Sequence, residues 1–542
     1  MPTLTVDGRV VTVPAGTTII QAAEILGIEI PRYCYHPALS IAGNCRICQV
    51  EVETASKLQI SCQMPCADGM VVHTNSERVQ QAQKSTLEFL LANHPLDCPV
   101  CDQSGECYLQ DYYMDYGQYD PIFRDKKVKK KKALPISKYV MLDQERCILC
   151  SRCVRYTDEI TETHEFGIFD RGDHSEVNIV PGESFDENKY QGNVVDICPV
   201  GALTDRDFRF KCRVWYLGSA KSVCPGCSMG CNINVEWNKE RPYQTPGERV
   251  MRLKPRYNPE VNKWWMCDEG RYGYKSIDQN RILTVGKGRG GEKEEISWDN
   301  AFQILEKEFE RYRKGEGSHS FAIIASPQMT NEELFAVRKF FAEKLKLRPV
   351  AYDVPQKIGT SDAFLMKGDK NPNTMGARLI IGNDFGSEGG VAKILKDAAT
   401  GKLTGLWVFS HDLVGAFSQR QVLEASEKVP FFVFSGTNWN KTAEAASLVL
   451  PTTVYAEKDG TFTNYEGRVQ RIFKALTPLG ESRQCINVLQ ELALRLGHRV
   501  AFESAEIIFK QLSQEIPAFA GLTFDGLGEH GATLPEKSKV LA

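Results

Sequence analysis

Seventeen of the 18 cysteines in this 542-residue chain lie at or before Cys267, and only Cys485 lies beyond it. The first stretch, MPTLTVDGRVVTV, lacks a basic region followed by an apolar run, and no window approaches the ~20 apolar residues that cross a bilayer. The chain is therefore expected to be soluble and cytoplasmic, in a reducing compartment where thiols serve as ligands or buried hydrophobes and seldom as disulfides. That constrains the first half more than any local propensity does, because its loops must gather thiols around something. The second half reads as an ordinary globular domain, and the length allows three or four cores in all.

Fifteen of the cysteines and one histidine fall into four ligand sets. The first is Cys34-x10-Cys45-x2-Cys48-x13-Cys62, a loop of three thiols with a distant fourth, as a 2Fe-2S centre requires when each iron takes two thiolates. Gly43 supplies a tight backbone before Cys45. Cys66 competes with Cys62, which is preferred because it directly ends the strand-like KLQIS. The second set is His94-x3-Cys98-x2-Cys101-x5-Cys107, in LANHPLDCPVCDQSGEC. Taken alone it suits a zinc ion, an iron-sulfur cluster or a catalytic thiol.

The third set, Cys147-x2-Cys150-x2-Cys153 closed by Cys198-Pro199, has the spacing of a bacterial-type 4Fe-4S site. Position 157 is threonine and Cys198 has no companion cysteines, so one cluster, not two, is expected there. The fourth set, Cys224-x2-Cys227-x3-Cys231-x35-Cys267, suits a 4Fe-4S centre or a zinc ribbon, and zinc also competes at the first set. Four such sets in one reduced chain are explained more simply by an electron conduit than by four structural zincs. Cys66, Cys212 and Cys485 read as buried apolar residues.

Local patterns frame these sets. Residues 3 to 13 alternate around Asp7-Gly8, which predicts a hairpin, and TTIIQAAEIL predicts a helix after a threonine cap, the beginning of a β-grasp ferredoxin shape. SERVQQAQKSTLEFLLA predicts a helix capped by Ser76 that delivers the chain to His94. Between Asp111 and Leu134 a tyrosine-rich stretch and the lysine run Lys126 to Lys132 predict an exposed connector. From about residue 275, FAIIAS, ARLIIG, LTGLWVFS and VPFFVFS predict buried strands, with a helix capped by Thr330 and Glu333 after the first, hence a parallel sheet covered on both faces. The last 25 residues read as loose.

A formal net charge of -3, from 66 basic and 69 acidic residues, gives no global reason to expect nucleic acid. The lysine run is read as a solvated loop or a contact with an acidic neighbour, since no basic domain surrounds it.

In the order of its sets the chain resembles the 75 kDa-type iron-sulfur subunit, or G subunit, of NADH:quinone oxidoreductase (respiratory complex I), in the bacterial form with an additional 4Fe-4S site. The first 270 residues carry the likeness most specifically; ISWDNAFQIL and AEKDGTFTNYEGRVQ carry it more loosely. The resemblance implies a multidomain α+β and α/β chain: a β-grasp 2Fe-2S ferredoxin-like domain (1–75), a 4Fe-4S domain with one histidine (76–120), a 4Fe-4S ferredoxin-like domain (121–215), a 4Fe-4S domain of molybdopterin-oxidoreductase type (216–275) and a truncated molybdopterin-oxidoreductase-like α/β domain (276–542). It implies one 2Fe-2S centre on Cys34, Cys45, Cys48 and Cys62, and 4Fe-4S centres on His94, Cys98, Cys101 and Cys107, on Cys147, Cys150, Cys153 and Cys198, and on Cys224, Cys227, Cys231 and Cys267. It further implies electron relay from a flavin/NADH subunit toward quinone, a small 2Fe-2S subunit and quinone-site subunits as neighbours, no nucleic acid, and membrane contact only through the complex at the cytoplasmic face of the inner membrane.

No catalytic residue is expected on the chain itself. The C-terminal half is only about 270 residues and has no thiol near enough to ligate molybdenum, so no molybdopterin is expected. GNDFGSEGG (382 to 390) is read as a structural turn, not a phosphate cradle, and His411-Asp412 as a turn, not a dyad. The competing readings are a subunit of an NAD-linked formate dehydrogenase or hydrogenase, and a zinc-stabilised scaffold.

Overall fold

The computed structural model describes residues 1–290, 292–312, 320–352, 359–382 and 390–535. The chain divides into two compact units, Met1–Leu217 and Gly218–Ala542.

The first unit opens with β1 (Thr3–Val6) and β2 (Arg9–Thr12), paired antiparallel across Asp7 and Gly8, whose φ values of 46° and 79° are those of a tight hairpin turn. Helix α1 (Ile19–Ile25) follows, with the Thr18 amide donating to Gln21 Oε1 at 2.9 Å, and buries Ile19, Ile20, Ala22 and Ala23. With β3 (Gln49–Val52), β4 (Gln59–Ile60) and β5 (Val71–His73) the sheet has the order β2-β1-β5-β3-β4, β1 running parallel to β5: a β-grasp arrangement. Helix α2 (Glu77–Asn93) starts where Ser76 Oγ accepts from the Val79 amide and ends at His94.

The predicted connector is more ordered than its composition suggests. Its tyrosines form helix α3 (Tyr108–Tyr116), with Leu109 and Tyr112 buried. In the lysine run, Lys127 Nζ donates to the carbonyls of Leu91 and Ala92 at the C-terminus of α2, Lys130 donates to Ser175 O, and Lys132 pairs with Asp97 and Glu145. The acidic neighbour is thus inside the chain. Helix α4 (Arg152–Glu159) carries Cys153.

The second unit is built on a seven-stranded sheet. In spatial order its strands are Glu294–Ile296, Val285–Lys287, Leu448–Pro451, Phe431–Gly436, Gly405–Phe409, Phe321–Ile324 and Val350–Ala351. The last five run parallel, and the first two form an antiparallel edge. Alternate residues feed two cores: Phe321, Ile323, Trp407, Phe409 and Val433 on one face, Ala322, Ile324, Leu406, Val408 and Phe432 on the other. That two-sided burial makes the strands near-continuous apolar runs.

Two expectations fail here. ARLII is not a strand but part of the helix Thr374–Ile380, whose buried Gly376, Ala377 and Ile380 share one helical stripe. A short apolar run alone does not separate a buried strand from a buried helix. The end of the chain is packed as far as residue 535: Phe519, Leu527 and Leu534 are buried, and Ala532–Thr533 pairs with Arg468–Ile472. Residues 383–389 of the glycine-rich loop lie outside the described residues.

Candidate metal centres

At the first set, Gly43 has φ 61°, as the tight loop before Cys45 demands. The thiols of Cys34 and Cys45 hydrogen-bond to each other, and so do those of Cys48 and Cys62. The hydrogen bond from Cys45, helped by the amides of Cys45 and Asn44 and by Arg155, lowers the Cys34 thiol to about 5 against its burial. The hydrogen bond from Cys62 lowers Cys48 to about 7, also against burial. Within each pair the partner thiol, Cys45 or Cys62, is raised, so the four thiols come together in two pairs of which both members ionise only with a metal bound. Cys66 stands apart: burial alone raises its thiol, and its amide donates to Thr17 O.

At the second set, α2 delivers His94, whose Nδ1 is buried without a hydrogen-bond partner. An unpaired buried nitrogen costs about 1–3 kcal/mol, which a metal bond would offset. Burial, then Arg146 and Lys127, lower the imidazole to about 4, leaving it neutral as a ligand must be. Cys98 is exposed and opens a short turn, while Cys101 and Cys107 are buried. Burial pushes Cys107 up to about 11. Asp97, between Cys98 and the histidine, is held by Arg146 at 3.0 Å and by Lys132.

At the third set, Cys147, Cys150, Cys153 and Cys198 line one pocket, together with Leu142, Val177, Val200 and Leu203 among others. Leu149 and Ser151 adopt left-handed φ values of 55° and 58°, curling the loop around it. Burial pushes Cys147 and Cys198 up to about 12, so these thiols need a cation to ionise. At the fourth set, in the second unit, Cys224, Cys227, Cys231 and Cys267 line one pocket with Gly226, Gly230 and Gly270. Among the described residues no three His, Cys, Asp or Glu side chains converge as a single ion would need. A cluster does not ask for that, because each thiolate meets its own iron. All four donor sets fit iron-sulfur centres.

The first three sets are also tied to one another within the first unit. Arg155 Nη2 donates to Cys34 O at 2.6 Å and to Cys150 O at 3.3 Å; Arg152 donates to Tyr35 O at 2.7 Å and Ile197 O at 2.9 Å. Asn44 Nδ2 reaches Leu149 O at 3.1 Å. On the other side, the Tyr108 amide donates to Pro199 O, and a Cβ on Gly201 would lie 2.2 Å from Cys101 Sγ. The third set is therefore tied to both the first and the second. Sequence reasoning missed Arg152, Arg155 and Gly201, although the two arginines flank Cys153 and the glycine follows Cys198 by three positions. His411-Asp412 lies in irregular chain before the helix Leu413–Ala416, whose Val414 amide donates to the Asp412 side chain.

The chain matches families described as a 2Fe-2S iron-sulfur cluster binding domain (1–77), an NADH-ubiquinone oxidoreductase-G iron-sulfur binding region (83–121), an NADH-quinone oxidoreductase subunit 3 ferredoxin-like domain (137–204), a molybdopterin oxidoreductase Fe4S4 domain (218–279) and molybdopterin oxidoreductase (366–495). It is 30% identical over 629 residues to the mitochondrial NADH-ubiquinone oxidoreductase 78 kDa subunit of Candida albicans, covering 95% of this chain and 85% of that one. It is 43% identical over 342 residues to the G subunit of the NADH-quinone oxidoreductase of Streptomyces coelicolor, covering 62% of this chain but 39% of that longer protein. A solved NAD+-reducing NiFe hydrogenase is 29% identical over 39% of this chain and 91% of its own, with a TM-score of 0.36.

Proposed function

The chain belongs to the family formed by the G subunit of bacterial NADH-quinone oxidoreductase and its mitochondrial 78 kDa counterpart, and from that premise we propose how its ligand sets serve an electron-transfer subunit of that oxidoreductase. Cys34, Cys45, Cys48 and Cys62 hold a 2Fe-2S centre. His94, Cys98, Cys101 and Cys107, then Cys147, Cys150, Cys153 and Cys198, and finally Cys224, Cys227, Cys231 and Cys267 each hold a 4Fe-4S centre. Such centres, when bound, accept and release single electrons. The chain's own residues supply spacing, burial and charge.

The observation that carries the reading is the pair of ties on either side of the third loop. Arg155 and Asn44 fasten it to the first loop, and the Tyr108 amide and Gly201 fasten it to the second. The relay within the first unit accordingly runs first, third, second. Its outlet is the second set, where Cys98 is exposed and Leu96 (90%) and Val100 (57%) present apolar side chains to solvent. A quinone-side subunit docks there, and the flavin and small 2Fe-2S subunits deliver electrons toward the first set. No helix among the described residues is long and apolar enough to cross a membrane. In this reading the chain reaches the cytoplasmic face of the inner membrane through its partners.

Iron, sulfide, zinc and molybdenum analysis of the anaerobically purified chain tests the reading. About fourteen irons per chain are expected, from one two-iron and three four-iron centres. Zinc in their place would remove the relay, and stoichiometric molybdenum would favour the formate dehydrogenase alternative.

A further inference from the structure

Tyr33 precedes Cys34, yet its side chain serves none of the contacts described above. The residue is wholly buried, and its hydroxyl has no hydrogen-bond partner. The ring meets Tyr112 edge-on, with centroids 5.4 Å apart; Tyr112 in turn lies 5.8 Å from Tyr108, the residue after Cys107. Burial raises the phenol most, then Tyr112, then the thiols of Cys107 and Cys45, which belong to the second and first sets. The Tyr112 hydroxyl has its own acceptor in Glu29 Oε1, at 3.5 Å. Tyr33 is thus a donor held in a dry position on the ring row Tyr33–Tyr112–Tyr108 that leads to Cys107, with no hydrogen-bond partner among the described residues.

We propose that the Tyr33 hydroxyl donates a hydrogen bond to a sulfur of the centre held by His94, Cys98, Cys101 and Cys107, and so sets how readily that centre is reduced. The inference rests on those four residues being its ligands. A phenol that stayed unpaired here would be a standing cost to folding, whereas sulfur carrying negative charge is an acceptor of the right kind. Hydrogen bonds to cluster sulfurs stabilise the reduced form, because the added negative charge strengthens them. Tyr33 is therefore a positioning residue that acts on potential, not on ligation.

The test is an EPR-monitored redox titration of the whole complex. Tyr33→Phe should keep the iron content and shift the midpoint of the second-set 4Fe-4S centre to more negative potential, while the third-set centre stays where it was. Tyr33→3-fluorotyrosine keeps the ring and strengthens the donor, so it should shift the same centre the other way. This keeps the test informative even if Tyr33→Phe fails to assemble. An unmoved second-set midpoint in the fluorinated protein, or a shift confined to the 2Fe-2S centre, overturns the proposal. A wild-type complex without a second-set 4Fe-4S signal would overturn the ligand reading itself, which is a different failure.

Discussion

The amide of Tyr108 donates to the carbonyl of Pro199 at 3.0 Å, which joins the residue after Cys107 to the residue after Cys198. Two ligand sets whose nearest members, Cys107 and Cys147, stand 40 positions apart thereby share one backbone hydrogen bond. Gly201 lies in the same loop, and its missing side chain is what lets Cys101 approach.

Gly201→Ala places a methyl group where Cys101 Sγ now sits, 2.2 Å from the ideal Cβ. Overpacking of this kind costs about 1–3 kcal/mol, and here the atom displaced is a ligand. The variant should lose about four irons per chain and the second-set EPR signal, with the 2Fe-2S signal kept. A full iron complement would show that the loop gives way without consequence.

Arg155→Met removes the guanidinium shared by Cys34 O and Cys150 O. All centres should still assemble, since no ligand is lost. Electron passage from the first to the third set should slow, visible in freeze-quench EPR as delayed reduction of the third-set centre. Wild-type kinetics would mean the arginine only stiffens the loop.

His94→Cys replaces a neutral ligand by an anionic one. The second-set centre should become harder to reduce, the direction expected from the opposite replacement in Rieske centres. An unchanged midpoint and spectrum would take His94 off the ligand set.

Glu332 gives a pH dependence in the second unit. Its buried carboxylate accepts from the Thr461 amide at 2.9 Å and the Thr461 hydroxyl at 2.8 Å, yet burial raises it to about 7 from an ordinary 4.5. The folded form binds this proton more tightly than the unfolded form. The stabilisation is therefore complete below pH 4.5 and is lost as pH rises toward 7, by an amount on the order of 3 kcal/mol. Thermal unfolding of Glu332→Gln should lack that share of the decline, so its melting temperature relative to wild type should rise from pH 4.5 to 8. A constant difference across that range would refute the assignment.

Glu457, in AEKDGTFTNYEGRVQ, is fully buried and accepts from Arg281 at 3.0 and 3.1 Å and from Arg249 at 2.8 Å. Glu457→Gln takes the carboxylate from buried Arg281, while Arg249 keeps Asp278 at 2.6 Å, and should destabilise the second unit by about 3–5 kcal/mol in denaturant unfolding. A loss below 1 kcal/mol would show that the arginines find carbonyls enough on their own.

Much of the local architecture was legible in the residues. The Asp7-Gly8 hairpin, the caps at Ser76 and Thr330, and the strands around Phe321, Trp407 and Phe431 all depend on neighbours within a few positions, and propensity reports those. ARLII misled because five apolar residues are compatible with a buried strand and a buried helix alike, and the choice falls to what they pack against. The tyrosine-rich stretch misled for the converse reason: its polar ends disguised Tyr112 and Leu109, which face inward along α3.

The sequence by itself proposed which thiols and which imidazole could act together, because ligand spacing is a covalent constraint written along the chain. Only the tertiary structure decided how the sets are joined, with the third set tied to both the first and the second. It likewise brought Tyr33 against Tyr112, and Arg155 to reach from Cys34 to Cys150. Those relations rest on hydrogen bonds and van der Waals contacts between segments up to 121 residues apart, and no local propensity encodes a contact at that separation.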